Sequence, residues 1–186
     1  MTVVYNRIAL IGLGLIASSM FWSIRKGNLA QEVVGFAKSK KTRDTAKSIG
    51  LCDHVFNNLK DTVNNADLVV LCTPVGVMGE VVEQIAPYLK KGATLSDVGS
   101  VKRAVLDAVE PLIPQDVHFV PAHPLAGTEH SGPESGFSSL FENRWCILVP
   151  TVSSTPKAVE KLTCLWTGMG ALVDQMDADH HDLVLA

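Results

Sequence analysis

The stretch Ile8-Ala9-Leu10-Ile11-Gly12-Leu13-Gly14-Leu15-Ile16-Ala17-Ser18-Ser19 decides the fold. Its apolar opening suits a strand buried on both faces of a parallel sheet, and two closely spaced glycines then break the run. Gly12 allows a tight turn, and Gly14, which has no side chain, lets a diphosphate approach the backbone. Ile16, Met20 and Ile24 recur at helical spacing, so free N–H groups and the positive end of a helix dipole face the same anion. Ala17 stands where a third glycine often does, a replacement the dinucleotide-binding pattern tolerates. A purely structural turn is the competing reading. The position between a first strand and a first helix favours a dinucleotide loop formed by Gly12, Leu13, Gly14, Leu15 and Ile16.

Bulk composition narrows the partners. The 186 residues are 47% hydrophobic and 19% charged, with a formal net charge of -3, which argues against a disordered chain and against a general nucleic-acid binder. A small-molecule ligand is expected, with no nucleic acid and no membrane, since no stretch reaches spanning length. Cys52, Cys72, Cys146 and Cys164 are scattered without a close pair, so neither a disulfide framework nor a zinc knuckle is expected. A reducing cytoplasm fits. Arg7 precedes the first apolar run, but that run holds the glycine turn and no small-residue cleavage pattern, unlike a secretion signal.

Further along, Lys26-Gly27-Asn28 stops the first helix and residues 32–37 read as the second strand. An NAD-preferring fold usually ends this strand on Asp or Glu to hold the adenosine ribose. Here Ala37 takes that place, followed by Lys38 and Ser39. Without a carboxylate to repel a 2'-phosphate, and with a lysine and a hydroxyl to bind it, NADP is modestly favoured and NAD stays open. The alternative is a solvated basic turn that caps the next helix. Residues 42–49 read as a helix, 55–56 as a brief strand and 66–72 as a buried strand that ends at Thr73-Pro74-Val75, beside the cofactor. Residues 77–89 read as one helix, 93–97 as a strand, and 98–102 as the turn into a helix ending near residue 112. Gly99, Ser100 and Lys102 in that turn serve either an anionic ligand or an ordinary cap. Residues 117–121 read as one more strand, which delivers His123 to the same edge. Imidazole changes charge near neutral pH, so His123 is the candidate acid-base group.

Together these segments resemble the prephenate and arogenate dehydrogenases of tyrosine biosynthesis, the bacterial cyclohexadienyl dehydrogenases above all. The resemblance rests on the glycine loop, Cys72-Thr73-Pro74-Val75, Asp97-Val98-Gly99-Ser100-Val101-Lys102, the run from His123 through Gly132, and Leu140-Phe141-Glu142-Asn143-Arg144. It implies an NAD(P)-dependent oxidative decarboxylation in which His123 takes a hydrogen bond from the ring hydroxyl. Ser100 would fix that hydroxyl and support His123, and Thr128 and Glu129 would bind at the substrate mouth. A solvated loop carboxylate is the alternative for Glu129. The family also implies that a helical dimerisation domain follows. Residues 1–176 are therefore expected to form a Rossmann-type α/β domain with a doubly wound, mostly parallel sheet, and residues 177–186 to begin a connecting helix. Full-length protein would be a homodimer, and the isolated chain poorly active.

Residues 145–150, 155–168 and 171–176 read as strand, helix and strand, with Pro156 in the helix's first turn. His180-His181-Asp182 offers no metal site, because adjacent side chains on a helix diverge. Trp22, Trp145 and Trp166, without a basic stripe, read as packing residues. Two other functions remain open: a beta-hydroxyacid dehydrogenase, which has no need of a histidine at 123, and a dinucleotide sensor that lacks turnover.

Overall fold

The computed structural model describes residues 3–185; Met1, Thr2 and Ala186, at the outer ends of the two expected segments, lie outside the described residues. Strand β1 (Tyr5–Ile11) is central to a six-stranded parallel sheet. β2 (Ala30–Phe36) and β3 (His54–Phe56) lie on one side of it, and β4 (Leu68–Leu71), β5 (Thr94–Asp97) and β6 (His118–Phe119) on the other. The order β3-β2-β1-β4-β5-β6 is that of a Rossmann-type doubly wound fold, whose ligand crevice opens where the order reverses, between β1 and β4. Ile11 is level with both Phe36 and Leu71, so the turns after β1, β2 and β4 emerge side by side.

The alternation within β1 shows why both faces are covered. Ile8 and Leu10 enter one apolar core and Ala9 and Ile11 the other, and all four are buried. Helices α1 (Leu15–Gly27) and α6 (Pro156–Gly168) pack on the first core, and α4 (Met78–Ile85) and α5 (Lys102–Val109) on the second. α1 stops at Asn28, which takes the left-handed conformation at φ 51° that Asn tolerates. α6 starts on Thr155, whose hydroxyl oxygen accepts from Ala158 N, with Pro156 at the first helical position. α2 (Lys40–Ser48) and a short α3 (Leu59–Val63), which the sequence reading leaves out, complete the first half.

Prolines account for two shortened helices. The expected helix over 77–89 is α4 alone, flanked by 3-10 turns at Val75–Val77 and Ala86–Tyr88, because Pro87 has no N–H to continue the ladder. Pro111 likewise ends α5 at Val109 in a 3-10 turn over Glu110–Leu112. The expected strand over 117–121 is also divided. β6 pairs with β5 only as far as Phe119, Pro121 brings no donor, and the chain passes into β7 (Ala122–Pro124) of a second sheet. That sheet runs β7-β8-β9, with β8 (Trp145–Leu148) antiparallel to β7 and parallel to β9 (Leu172–Gln175). His123 therefore lies within a strand, opposite Ile147, and not in an edge loop. A last helix, α7 (Ala178–Leu185), packs on α5. No helix among the described residues is long and apolar enough to cross a membrane.

Candidate active site

A groove of about 550 Å3 opens over the carboxyl ends of β1, β2 and β4. Gly12, Leu13 and Gly14 form its floor, Ala37, Lys38, Ser39 and Thr42 one end, and Thr73, Pro74 and Val77 the far wall. Gly12 has φ +95°, and a Cβ there would fall 2.7 Å from the Cys72 carbonyl oxygen, so no other residue fits. Around Gly14 the space is open, with nothing within 4 Å of where a Cβ would stand. Gly14 is the N-cap of α1 and brings no side-chain acceptor, which leaves the first-turn N–H groups for an external anion. These residues fit a dinucleotide diphosphate. Leu15 and Ile16 are half-buried and turn toward the core on α1's side of the sheet, and Val75 packs into the opposite core against Gly99.

The basic turn after β2 caps the next helix, as one of its two readings has it. Ser39 caps α2 by accepting from Thr42 N, and Arg43 Nη1 donates to the Ala37 and Lys38 carbonyls at 2.7 and 2.8 Å. Lys40 pairs with Asp44. Lys38 is exposed, lines the groove and makes no ion pair among the described residues. The sequence reading missed the clamp by Arg43.

The segment after β7 is strapped over the start of α1. Ser19 Oγ accepts from Phe137 N at 3.2 Å and Ser23 Oγ donates to the Ser138 carbonyl at 2.8 Å. Gly136 comes so close that a Cβ would stand 2.2 Å from Ser18 Cβ. This explains the hydroxyl residues on a buried helix face, and it brings Gly132 to the groove. Thr128 and Glu129 are exposed on the same segment, where Thr128 Oγ1 accepts from His130 N.

His123 is 9% exposed and does not line the groove as it stands. Its strand is held by a buried charge pair: Lys102 Nζ bonds Asp97 and, at 2.7 Å, the Ala122 carbonyl, while Asp97 accepts from Gly99 N at 2.7 Å and Ala122 N at 3.3 Å. Lys102 is thus committed inside the protein and unavailable to an anionic ligand, which removes one of the two readings of that turn. The helix N-terminus there is also occupied. Val101 at the N-cap cannot accept, and Asp182 of α7 does so instead, from Lys102 N at 2.7 Å and Arg103 N at 2.8 Å.

That docking places His181, fully buried, with Nε2 2.9 Å from His123 Nδ1 and Nδ1 2.7 Å from Asp182 Oδ1. The expected support from Ser100 is replaced by this contact. Ser100 is exposed and forms no hydrogen bond to His123 among the described residues. Burial first, then the His181 ring and the Lys102 charge, push the His123 pKa down to about 4, with Asp182 acting the other way. The ring is therefore neutral at physiological pH and able to accept a proton. Adjacent His180 and His181 do diverge, one exposed and one buried, but the divergence that argues against a metal site says nothing of His181 alone. An apolar residue at a helix N-cap, with a carboxylate free elsewhere, was the one sequence signal pointing to Asp182.

Residues 22–175 match the family described as "Prephenate dehydrogenase, nucleotide-binding domain". A cyclohexadienyl dehydrogenase of Zymomonas mobilis is 40% identical over 183 residues, covering 98% of this chain and 62% of the relative. A prephenate dehydrogenase of Bacillus subtilis is 32% identical over 178 residues, 95% of this chain and 48% of the relative. The crystal structure of prephenate dehydrogenase from Aquifex aeolicus, in complex with hydroxyphenyl propionate and NAD+, superposes with a TM-score of 0.88 at 27% identity, over 96% of this chain and 62% of that one. The chain thus spans about half to three-fifths of the length of these proteins.

Proposed function

The chain belongs to the prephenate dehydrogenase family, and from that premise we propose that it carries the dinucleotide cleft and the base of an NAD(P)-dependent oxidative decarboxylation of prephenate, arogenate or both. The observation that carries this reading is a buried, neutral imidazole at His123, beside the carboxyl edge of the sheet, whose Nε2 has no hydrogen-bond partner among the described residues. A beta-hydroxyacid dehydrogenase has no use for that group.

The backbone of Gly12, Leu13 and Gly14 and the start of α1 bind the diphosphate, with Leu15 and Ile16 fixing that turn from behind. Thr73 and Pro74 flank the nicotinamide, backed by Val75. When bound, the nicotinamide supplies the hydride acceptor. His123 Nε2 accepts the proton of the ring hydroxyl as carbonyl character develops, while Ser100, Thr128 and Glu129 orient the substrate at its mouth. Ala37 and Lys38 favour NADP, because no carboxylate repels a 2'-phosphate and an exposed ammonium meets it. The NAD+ complex of the Aquifex relative supports a pyridine dinucleotide as the cofactor. We place the rest of the substrate pocket, and a homodimer contact, in chain beyond Ala186. The exposed Leu183 and Val184 on α7 support this, as does the greater length of the relatives. A cytoplasmic enzyme is the corresponding location.

The test is calorimetric titration of the 186-residue chain with NADP+ and NAD+, and turnover of prephenate and arogenate by a chain extended past Ala186. Dinucleotide binding by the first and oxidation of at least one substrate by the second are expected. Binding without turnover of either substrate would instead mark a sensor.

A further inference from the structure

The proton positions around His123 follow from its neighbours. Burial works against the charge on Asp182, but hydrogen bonds from Lys102 N, Arg103 N and His181 outweigh it and hold the carboxyl below the usual range. An ionised carboxylate only accepts, so His181 Nδ1, 2.7 Å away, carries a hydrogen. In the uncharged form of the ring, a hydrogen on Nδ1 leaves a lone pair on His181 Nε2. His123 Nδ1 lies 2.9 Å from that lone pair and must carry the second hydrogen. The remaining nitrogen, His123 Nε2, is then bare. A free imidazole favours the opposite form, with its hydrogen on Nε2, in which His123 could donate to a hydroxyl but could not take its proton.

We propose that His181, anchored by Asp182, is a positioning residue that locks His123 in the tautomer whose Nε2 is free to act as the base. The inference rests on the dehydrogenase reading of His123 and adds a residue that touches neither substrate nor dinucleotide. The wiring is also mechanical. Asp182 is the cap of α5, α5 begins at Lys102, and Lys102 grips the Ala122 carbonyl next to His123. One helix end thus fixes both the strand that carries the base and the ring that orients it. When His123 Nε2 accepts the hydroxyl proton, the imidazolium keeps its Nδ1–H on His181 Nε2, and a bound dinucleotide would supply the acceptor for the hydride of the same substrate carbon. No further oxidant is needed. A filler role would make His181 contribute to stability alone; a positioning role makes it decide which nitrogen of a different residue is protonated.

Nitrogen-15 NMR of the histidine rings in the 186-residue chain, near neutral pH, reads this directly. In the wild type, His123 is expected to show a protonated Nδ1 and a bare Nε2. His181→Leu removes the acceptor and should move His123 to the Nε2–H form. His181→Gln, whose side-chain oxygen can stand in for Nε2, should restore the original pattern. In the chain extended past Ala186, kcat should fall roughly 10- to 100-fold in His181→Leu with dinucleotide KM nearly unchanged, and recover in His181→Gln, as for other partners that orient a functional imidazole. A wild-type His123 protonated on Nε2 overturns the proposal, and so does a tautomer indifferent to His181→Leu. Should that variant fail to fold, the wild-type and His181→Gln spectra decide. A wild type with the expected tautomer that oxidises neither substrate counts against the dehydrogenase reading and leaves the tautomer assignment standing.

Discussion

The ammonium of Lys102 lies against the carboxylate of Asp97, and neither side chain has any exposed surface. The pair joins the end of β5, the start of α5 and the first residue of β7 through Gly99 N, Ala122 N and the Ala122 carbonyl. It is the fixed point from which His123 is hung.

Such a pair tolerates the loss of one partner poorly. Lys102→Met leaves Asp97 buried without its counter-charge, and should cost about 3–5 kcal/mol in urea unfolding of the chain. Asp97→Asn should cost a comparable amount, because the ammonium is then stranded. Two variants near wild-type stability would mean that the charges are reached by water.

Gly12 and Gly14 have separate roles in the sequence reading, and the structure gives them different surroundings. Gly12→Ala meets both a left-handed backbone and the Cys72 carbonyl, and should destabilise the fold by about 1–3 kcal/mol. Gly14→Ala has open space and a φ of -96°, so stability should change by less than about 0.5 kcal/mol. Its methyl instead occupies the space where the diphosphate approaches. Calorimetry should show weaker dinucleotide binding with unchanged melting, and equal binding in Gly14→Ala would move the diphosphate elsewhere.

What was legible in the sequence follows from how local each signal is. The strand, glycine turn and helix at residues 5–27 are written in consecutive residues, and so is the Thr155-Pro156 start of α6. The course of residues 117–124 was not, because a single proline divides what hydropathy presents as one run, and only the partner strands decide which sheet each half joins. The pairing of His123 with His181 spans 58 residues and depends on α7 reaching α5 through Asp182. No periodicity encodes such a contact. The role of Lys102 stayed open for a related reason: a lysine in a strand-to-helix turn suits a ligand or a cap equally, and its burial becomes visible only with Asp97 and Ala122 around it.

At the ribose end, Ala37 is buried at the tip of β2, and its carbonyl is held by Arg43. Ala37→Asp would add an acceptor for the ribose hydroxyls and a negative charge against a 2'-phosphate. The ratio of NADP+ to NAD+ affinity should fall by roughly tenfold or more, as expected for one charge-assisted contact. Lys38→Ala should shift the ratio in the same direction by weakening NADP+ alone. A change in favour of NADP+ in either variant would mean that this turn does not meet the adenosine ribose.

His123 connects the site to pH. Its pKa is pushed from 6.5 down to about 4 by burial, then by His181 of α7 and Lys102 of α5, against the pull of Asp182. Across that interval the unfolded chain binds a proton that the folded chain does not, so stability rises with pH. The contribution of His123 is fully present above about 6.5 and is lost as the pH falls through about 4, with a slope of at most about 1.4 kcal/mol per pH unit. Urea unfolding between these limits should show a shallower slope in His123→Asn than in the wild type. NMR titration of the wild-type ring should give a midpoint near 4, and Lys102→Met, if it folds, should raise it. In the extended chain, His123→Asn should lower kcat by roughly 100-fold or more with dinucleotide affinity little changed. A midpoint near 6.5 would put the imidazole in water, and a neutral, sequestered base at this position could not then be maintained.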